Sequence, residues 1–152
     1  MGARSGVDRV TPLEAAFPGL VASGHAVTSR PTDVYNCIAW AAGEDDRWWW
    51  PGVMGEGYWP EKAPREELVS AFQLAFETLG YFPTENEARN TDGEKLAVMA
   101  VGNRVTHMCR QLETGRWTSK LGSAEDIEHD LHALAGPVYG SVTLILQRQK
   151  NG

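Results

Sequence analysis

The chain is short of several things. It has only two cysteines in 152 residues, Cys37 and Cys109, too few for a disulfide framework and enough for one bridge at most. It has no basic cluster, and its formal net charge is −6. A phosphate backbone would therefore be repelled, and nucleic acid is not an expected partner. No apolar run approaches the ~20 residues that span a bilayer, so no membrane span is expected. Residues 1–9 carry charges but no apolar segment, so no secretory signal is expected; with so little cysteine, this points to a reducing, cytoplasmic setting. Internal repeats and low-complexity segments are missing too. No cofactor and no metal are expected.

What is present suffices for one core. The hydrophobic share is 42%, which at this length fits a single domain over 1–152, with residues 1–16 as a flexible arm. Six tryptophans are many for the size, and four of them, Trp48, Trp49, Trp50 and Trp59, fall within twelve positions.

The stretch Val34-Tyr35-Asn36-Cys37-Ile38-Ala39-Trp40-Ala41-Ala42-Gly43 organises the reading. Asn36 is suited to cap a helix, Pro31 favours an extended approach to it, and Gly43 suits the left-handed position past the helix end. Cys37 then falls in the first turn, among backbone N–H groups without intrahelical partners and at the positive end of the dipole. Such surroundings are expected to lower a thiol pKa.

Along the chain, Thr11–Leu20 is expected to hold a short capped helix and 21–32 a loop. Residues 44–63, with Pro51, Gly52, Gly55, Gly57 and Pro60 among the aromatics, read as irregular. Such a loop packs as an aromatic lid or lines a cleft. A helix is expected over Pro64–Leu79, ending at Gly80, with Leu68, Phe72, Ala75, Phe76 and Leu79 as its apolar stripe. Residues 81–92 read as turns. Strands are expected over Glu94–Val101, Arg104–Leu112, Arg116–Gly122 and Tyr139–Gln149, and a helix capped by Ser123 is expected to run to about Leu134. The order implies an α+β fold, with N-terminal helices packed on an antiparallel sheet.

Nucleophilic thiol chemistry needs a thiolate, a base for its proton and a group that steadies the base. His107, on an expected strand, is the candidate base. The turn after it selects the third group. A three-residue loop Glu113-Thr114-Gly115, with Gly115 left-handed, puts His107 opposite Leu121 and brings Ser119 one place along on the same face. A two-residue loop Thr114-Gly115 would present Thr118 or Lys120 instead. The three-residue form is preferred, because Thr does not suit the first position of a type I′ turn. Ser119 is neutral, so it can orient an imidazole but cannot stabilise an imidazolium as a carboxylate does. Asp126, His129 and His132 recur at intervals of three. On a helix they spread over ~120° of its face, which suits solvated surface residues better than a metal site.

The same residues resemble the papain-like fold in its minimal form, as in the NlpC-type endopeptidases and CHAP amidases. In these a Cys opens a helix, and a His and a polar residue follow on adjacent strands. The spacing from His107 to Ser119 is similar to that in the NlpC kind, although Ser119 stands where His, Asn, Asp or Glu is usual. Longer strings resemble an uncharacterised bacterial family of small proteins: Tyr35–Gly43, Arg47-Trp48-Trp49-Trp50-Pro51, Thr106-His107, Arg110-Gln111, Trp117-Thr118-Ser119-Lys120-Leu121-Gly122, Asp126-Ile127-Glu128-His129 and Tyr139-Gly140. The resemblance implies a papain-like cysteine hydrolase or acyltransferase acting on a peptide or small acyl substrate. Cys37 would be its nucleophile, His107 its base and Ser119 its third residue, with Trp49, Trp50 and Trp117 as substrate contacts. A non-catalytic binding module using the Trp-rich loop is the rival expectation.

Overall fold

A computed structural model describes residues 17, 19–20, 26–28, 34–52, 54–85, 93–121 and 126–149. In chain order its elements are β1 (Ala26–Val27), α1 (Cys37–Ala41), α2 (Val69–Glu77), β2 (Phe82–Thr84), β3 (Gly93–Val101), β4 (Arg104–Gln111), β5 (Trp117–Lys120), β6 (Asp126–His129), a 3-10 turn (Leu131–Leu134) and β7 (Ser141–Gln149). Among the described residues the seven strands form one sheet in the order β1-β6-β5-β4-β3-β7-β2. Every neighbouring pair is antiparallel. The fold is α+β, dominated by this sheet.

Period-two alternation divides the core between two faces. On β3, Leu96 and Val98 join a cluster with Ile38 and Ala41 of α1, Phe72 and Phe76 of α2, Met108 and Leu146. Ala97 and Met99 join the opposite cluster with Cys109, Trp117, Ile127, Leu134 and Ile145. The central strand is thus apolar on both sides, as its sequence predicts.

Two irregularities meet at Met99. The pairing of β3 with β4 passes from Met99↔His107 to Ala100↔Val105, which leaves Thr106 as the extra residue of a bulge. The pairing of β3 with β7 shifts at the same level, from Val98↔Leu144 to Met99↔Val142. The Thr106 hydroxyl donates to the Met99 carbonyl at 3.2 Å and also reaches the Tyr139 carbonyl. Gly140 lets the chain after Tyr139 pass close to the end of β3: it has φ +79°, and a Cβ there would lie 2.1 Å from the Ala100 carbonyl oxygen.

Three expectations are corrected. The helix predicted over Pro64–Leu79 begins only at Val69, because the backbone just before it pairs with the β3–β4 turn: Val69 N–H donates to the Asn103 carbonyl, and Val105 N–H donates to the Glu67 carbonyl. The helix predicted to end near Leu134 is instead β6 followed by the 3-10 turn, since pairing with β5 and β1 overrides a local capping pattern; its proposed cap, Ser123, lies outside the described residues. Short strands β1 and β2 stand where loops and turns were expected. The Thr11–Leu20 helix and the 1–16 arm fall almost wholly outside the described residues. No helix among the described residues is long and apolar enough to cross a membrane.

Candidate functional site

Asn36 caps α1 as expected, and it does more. Its Oδ1 accepts from Ala39 N–H and from Trp49 N–H, both at 3.1 Å, while its Nδ2 donates to the Trp49 carbonyl at 2.8 Å. The cap of the helix therefore also fixes the Trp-rich loop. Trp49 is held further by Glu44 at its indole nitrogen and by the rings of Tyr58 and Phe76. It is buried, with 1% of its surface exposed. Arg65 donates to the carbonyls of Gly52, Glu56 and Gly57 and binds the far side of the loop.

A cavity of about 530 Å³ opens between the start of α1 and this loop. Asn36 and Cys37 form one side, Trp48, Trp50, Glu56 and Gly57 a second, and Thr106 and Tyr139 the third. The lining aromatics are Trp48, Trp50 and Tyr139. Trp49 and Trp117, expected as substrate contacts, do not line it; both are buried, each in a different core cluster. Trp48 and Tyr139 were missed because Trp48 differs from its neighbours only in which way it faces, and Tyr139 lies far along the chain.

The Cys37 thiol is not activated as its position in the sequence suggests. Burial pushes its pKa up to about 11, against the lowering influence of backbone groups of Met108, Cys37 and Ile38 and of the Lys120 charge. The physical reason is that α1 has only five residues. Its few free N–H groups and short dipole do not offset desolvation. Cys37 and Cys109 are both free and buried.

The β4–β5 hairpin has the register of the three-residue loop. Leu112 N–H donates to the Arg116 carbonyl, Gly115 has φ +93°, and the ladder pairs Gln111↔Trp117 and Arg110↔Thr118. His107 and Ser119 consequently meet, with Nε2 and Oγ 2.9 Å apart. The Ser119 hydroxyl also lies 2.7 Å from His129 Nε2, and His129 Nδ1 lies 2.7 Å from the Asp130 carbonyl oxygen. His107 Nδ1 is buried and has no hydrogen-bond partner among the described residues. The Tyr139 ring stacks on the His107 ring at 4.1 Å and 6°. Burial, then repulsion from His129, pushes the His107 pKa down to about 3, so the ring is neutral.

The thiol and the imidazole approach β4 from different sides. On the α1 side, Trp40 Nε1 donates to the Thr118 hydroxyl, Arg110 lies over the Trp40 ring and Lys120 over the Tyr35 ring. By alternation, His107, Ser119 and His129 turn to the other face, that of Cys109, Trp117 and Ile127. The Cys37 sulfur meets β4 at the backbone of Met108, next to His107 in the chain. Tyr139 joins the two: it lines the cavity beside Cys37 and covers the His107 ring.

The spacing of Asp126, His129 and His132 has no ligand geometry. Tyr35 donates to Asp126 on one face of β6, while His129 contacts Ser119 on the other. No group of three or more His, Cys, Asp or Glu among the described residues is placed to hold a metal ion.

Residues 26–147 match the family described as a domain of unknown function, DUF7689. No curated protein and no solved structure gives a significant match.

Proposed function

The chain belongs to the DUF7689 family, and we propose that it is a cysteine-dependent acyl-transfer enzyme, most simply an amide hydrolase of the papain-like kind that uses Cys37 as nucleophile, His107 as base and Ser119 as the partner of the base. The single observation that supports this most is a buried imidazole whose Nε2 is held by Ser119 while Nδ1 has no partner. It stands one residue from the backbone that touches a thiol in the wall of a cavity.

In this mechanism Cys37 Sγ forms a bond to the substrate carbonyl carbon and its proton passes to His107 Nδ1. The same proton then goes to the departing amine as the C–N bond breaks. Water, or another acceptor, resolves the thioester and restores the thiol. Both groups are neutral at rest, so His107 acts as a general base during attack and no ion pair stands ready beforehand. Sγ and Nδ1 approach β4 from different sides, with the Tyr139 ring between the imidazole and the cavity, so the step requires Tyr139 to move and the two groups to meet when substrate fills the cavity. Trp48, Trp50 and Tyr139 give the cavity its apolar walls, and Glu56 is the one charged side chain among the described lining residues. They suit an apolar acyl group with a neutral or cationic neighbour.

The test is acylation by the p-nitrophenyl ester of an N-acetylated aromatic amino acid, read by intact mass and peptide mapping. The expected result is an acyl adduct on Cys37 that is lost in Cys37→Ala and forms more slowly in His107→Gln. Adducts scattered over lysines, or no adduct on Cys37, would overturn the proposal.

A second reading is a binding module whose thiol stays inert. It is favoured by the raised Cys37 pKa and by the turn of His107 to the opposite face. It predicts that Trp48 fluorescence responds to small aromatic amides equally in the native protein and in Cys37→Ala, with no adduct in either.

A further inference from the structure

The candidate site reaches deeper than Ser119. A hydroxyl is a weak orienter on its own, because its single proton can point to either of two acceptors. In this chain the hydroxyl is itself caught between two imidazoles, and the far imidazole is anchored to the main chain.

The direction of the hydrogen bonds follows from that anchor. A backbone carbonyl only accepts, so His129 Nδ1, 2.7 Å from the Asp130 oxygen, carries a proton. In a neutral ring its Nε2 is then the acceptor. The Ser119 hydroxyl, 2.7 Å away, donates to it. With its proton committed, Ser119 Oγ can only accept from His107 Nε2–H at 2.9 Å. His107 Nδ1 is left as a bare lone pair. The opposite polarity needs a doubly protonated His129, a cation in a residue with 0% exposure beside a second imidazole. Desolvation and repulsion both oppose that state.

The strand end that carries the anchor also has two ion pairs. Asp130 and Glu128 are both paired to the Arg116 guanidinium, at 2.9 and 3.0 Å. These contacts hold the end of β6, and with it the carbonyl to which His129 is tied. The β5–β6 register, Ser119↔Ile127 and Trp117↔His129, puts Ser119 and His129 on one face of neighbouring strands, two places apart. Cys109 also lies within hydrogen-bonding range of Ser119; its S–H can donate to the remaining lone pair without disturbing the chain.

We infer that His129 is a positioning residue that, through Ser119, holds His107 in the tautomer with its proton on Nε2 and a lone pair on Nδ1. The assignment of His107 as base rests on the proposed function; the tautomer does not. The chain of bonds explains how a serine can stand in the third position: the polarising group is one bond further away.

The test reads the tautomer directly. Nitrogen-15 NMR of histidine-labelled native protein at neutral pH is expected to show His107 with a protonated Nε2 and an unprotonated Nδ1. His129→Leu is expected to convert that pattern to an exchanging mixture of tautomers. His129→Gln, whose side-chain oxygen can accept from Ser119, is expected to retain the native pattern. Ser119→Ala breaks the chain at the next link and is expected to behave as His129→Leu does, which keeps the test available should His129→Leu fail to fold. A native His107 protonated on Nδ1, or a pattern unchanged in folded His129→Leu or Ser119→Ala, overturns the inference. An inert Cys37 with the expected tautomer would overturn the proposed function and leave this inference standing.

Discussion

Tyr139 lies flat on His107, ring centroids 4.1 Å apart and planes inclined by 6°. It also lines the cavity that Cys37 reaches. One ring thus separates the base from the space in which a substrate would sit. Removing it exposes the imidazole. In Tyr139→Ala the His107 pKa is expected to climb from about 3 toward its ordinary value near 6.5, as burial, its main cause, is relieved. A proton titration of the His107 ring resonances measures this, and an unmoved pKa would show that Tyr139 does not shield the ring.

His107 also ties stability to pH. Its folded pKa is depressed to about 3 by burial first and His129 second, while the unfolded value is near 6.5. Between these values the unfolded chain binds more protons, so stability is present at neutral pH and is lost as the pH falls. The slope from this group is at most ~1.4 kcal/mol per pH unit. His107→Gln is expected to flatten the dependence of urea unfolding on pH below neutrality. Carboxylates contribute to both proteins and cancel in the comparison. Parallel curves would show that His107 is not held neutral by the fold.

Asn36→Ala removes a helix cap and two bonds to the backbone of Trp49. It leaves buried peptide groups without partners. The expected loss is about 2–4 kcal/mol in chemical denaturation. Asn36→Asp keeps the acceptor and loses only the Trp49 carbonyl contact, so it should fall between the two. A native-like midpoint for Asn36→Ala would mean that water replaces all three bonds.

Adjacent tryptophans should behave oppositely. Trp49 is buried between Phe76 and Tyr58, so Trp49→Ala is expected to cost about 3–5 kcal/mol. Trp48 is 40% exposed and lines the cavity. Trp48→Ala should cost well under half as much stability and should weaken binding of aromatic amides, read by equilibrium dialysis. Equal destabilisation by the two variants would contradict the placement of the loop.

Much of the local chemistry was legible. Asn36 and Gly43 bound α1, and Gly115 set the hairpin register that joins His107 to Ser119, because a cap or a turn depends on a few consecutive residues. Asp126–His129 was not legible as a strand. Four residues are too few to show a period, and the pairing that makes them extended comes from β5 and β1. No local pattern separates a contact tryptophan from a core one, and burial sets Trp49 and Trp117 in the core.

By itself the sequence determined where a helix could open on a cysteine, how the hairpin turns, and that β3 would be covered on both faces, since each follows from side-chain shape and backbone preference within a short span. Only the tertiary structure decided that the thiol stays protonated, that His107 turns to the face away from α1, and that His129 stands behind Ser119. Those outcomes depend on desolvation and on contacts between strands distant in the chain, which no local pattern records.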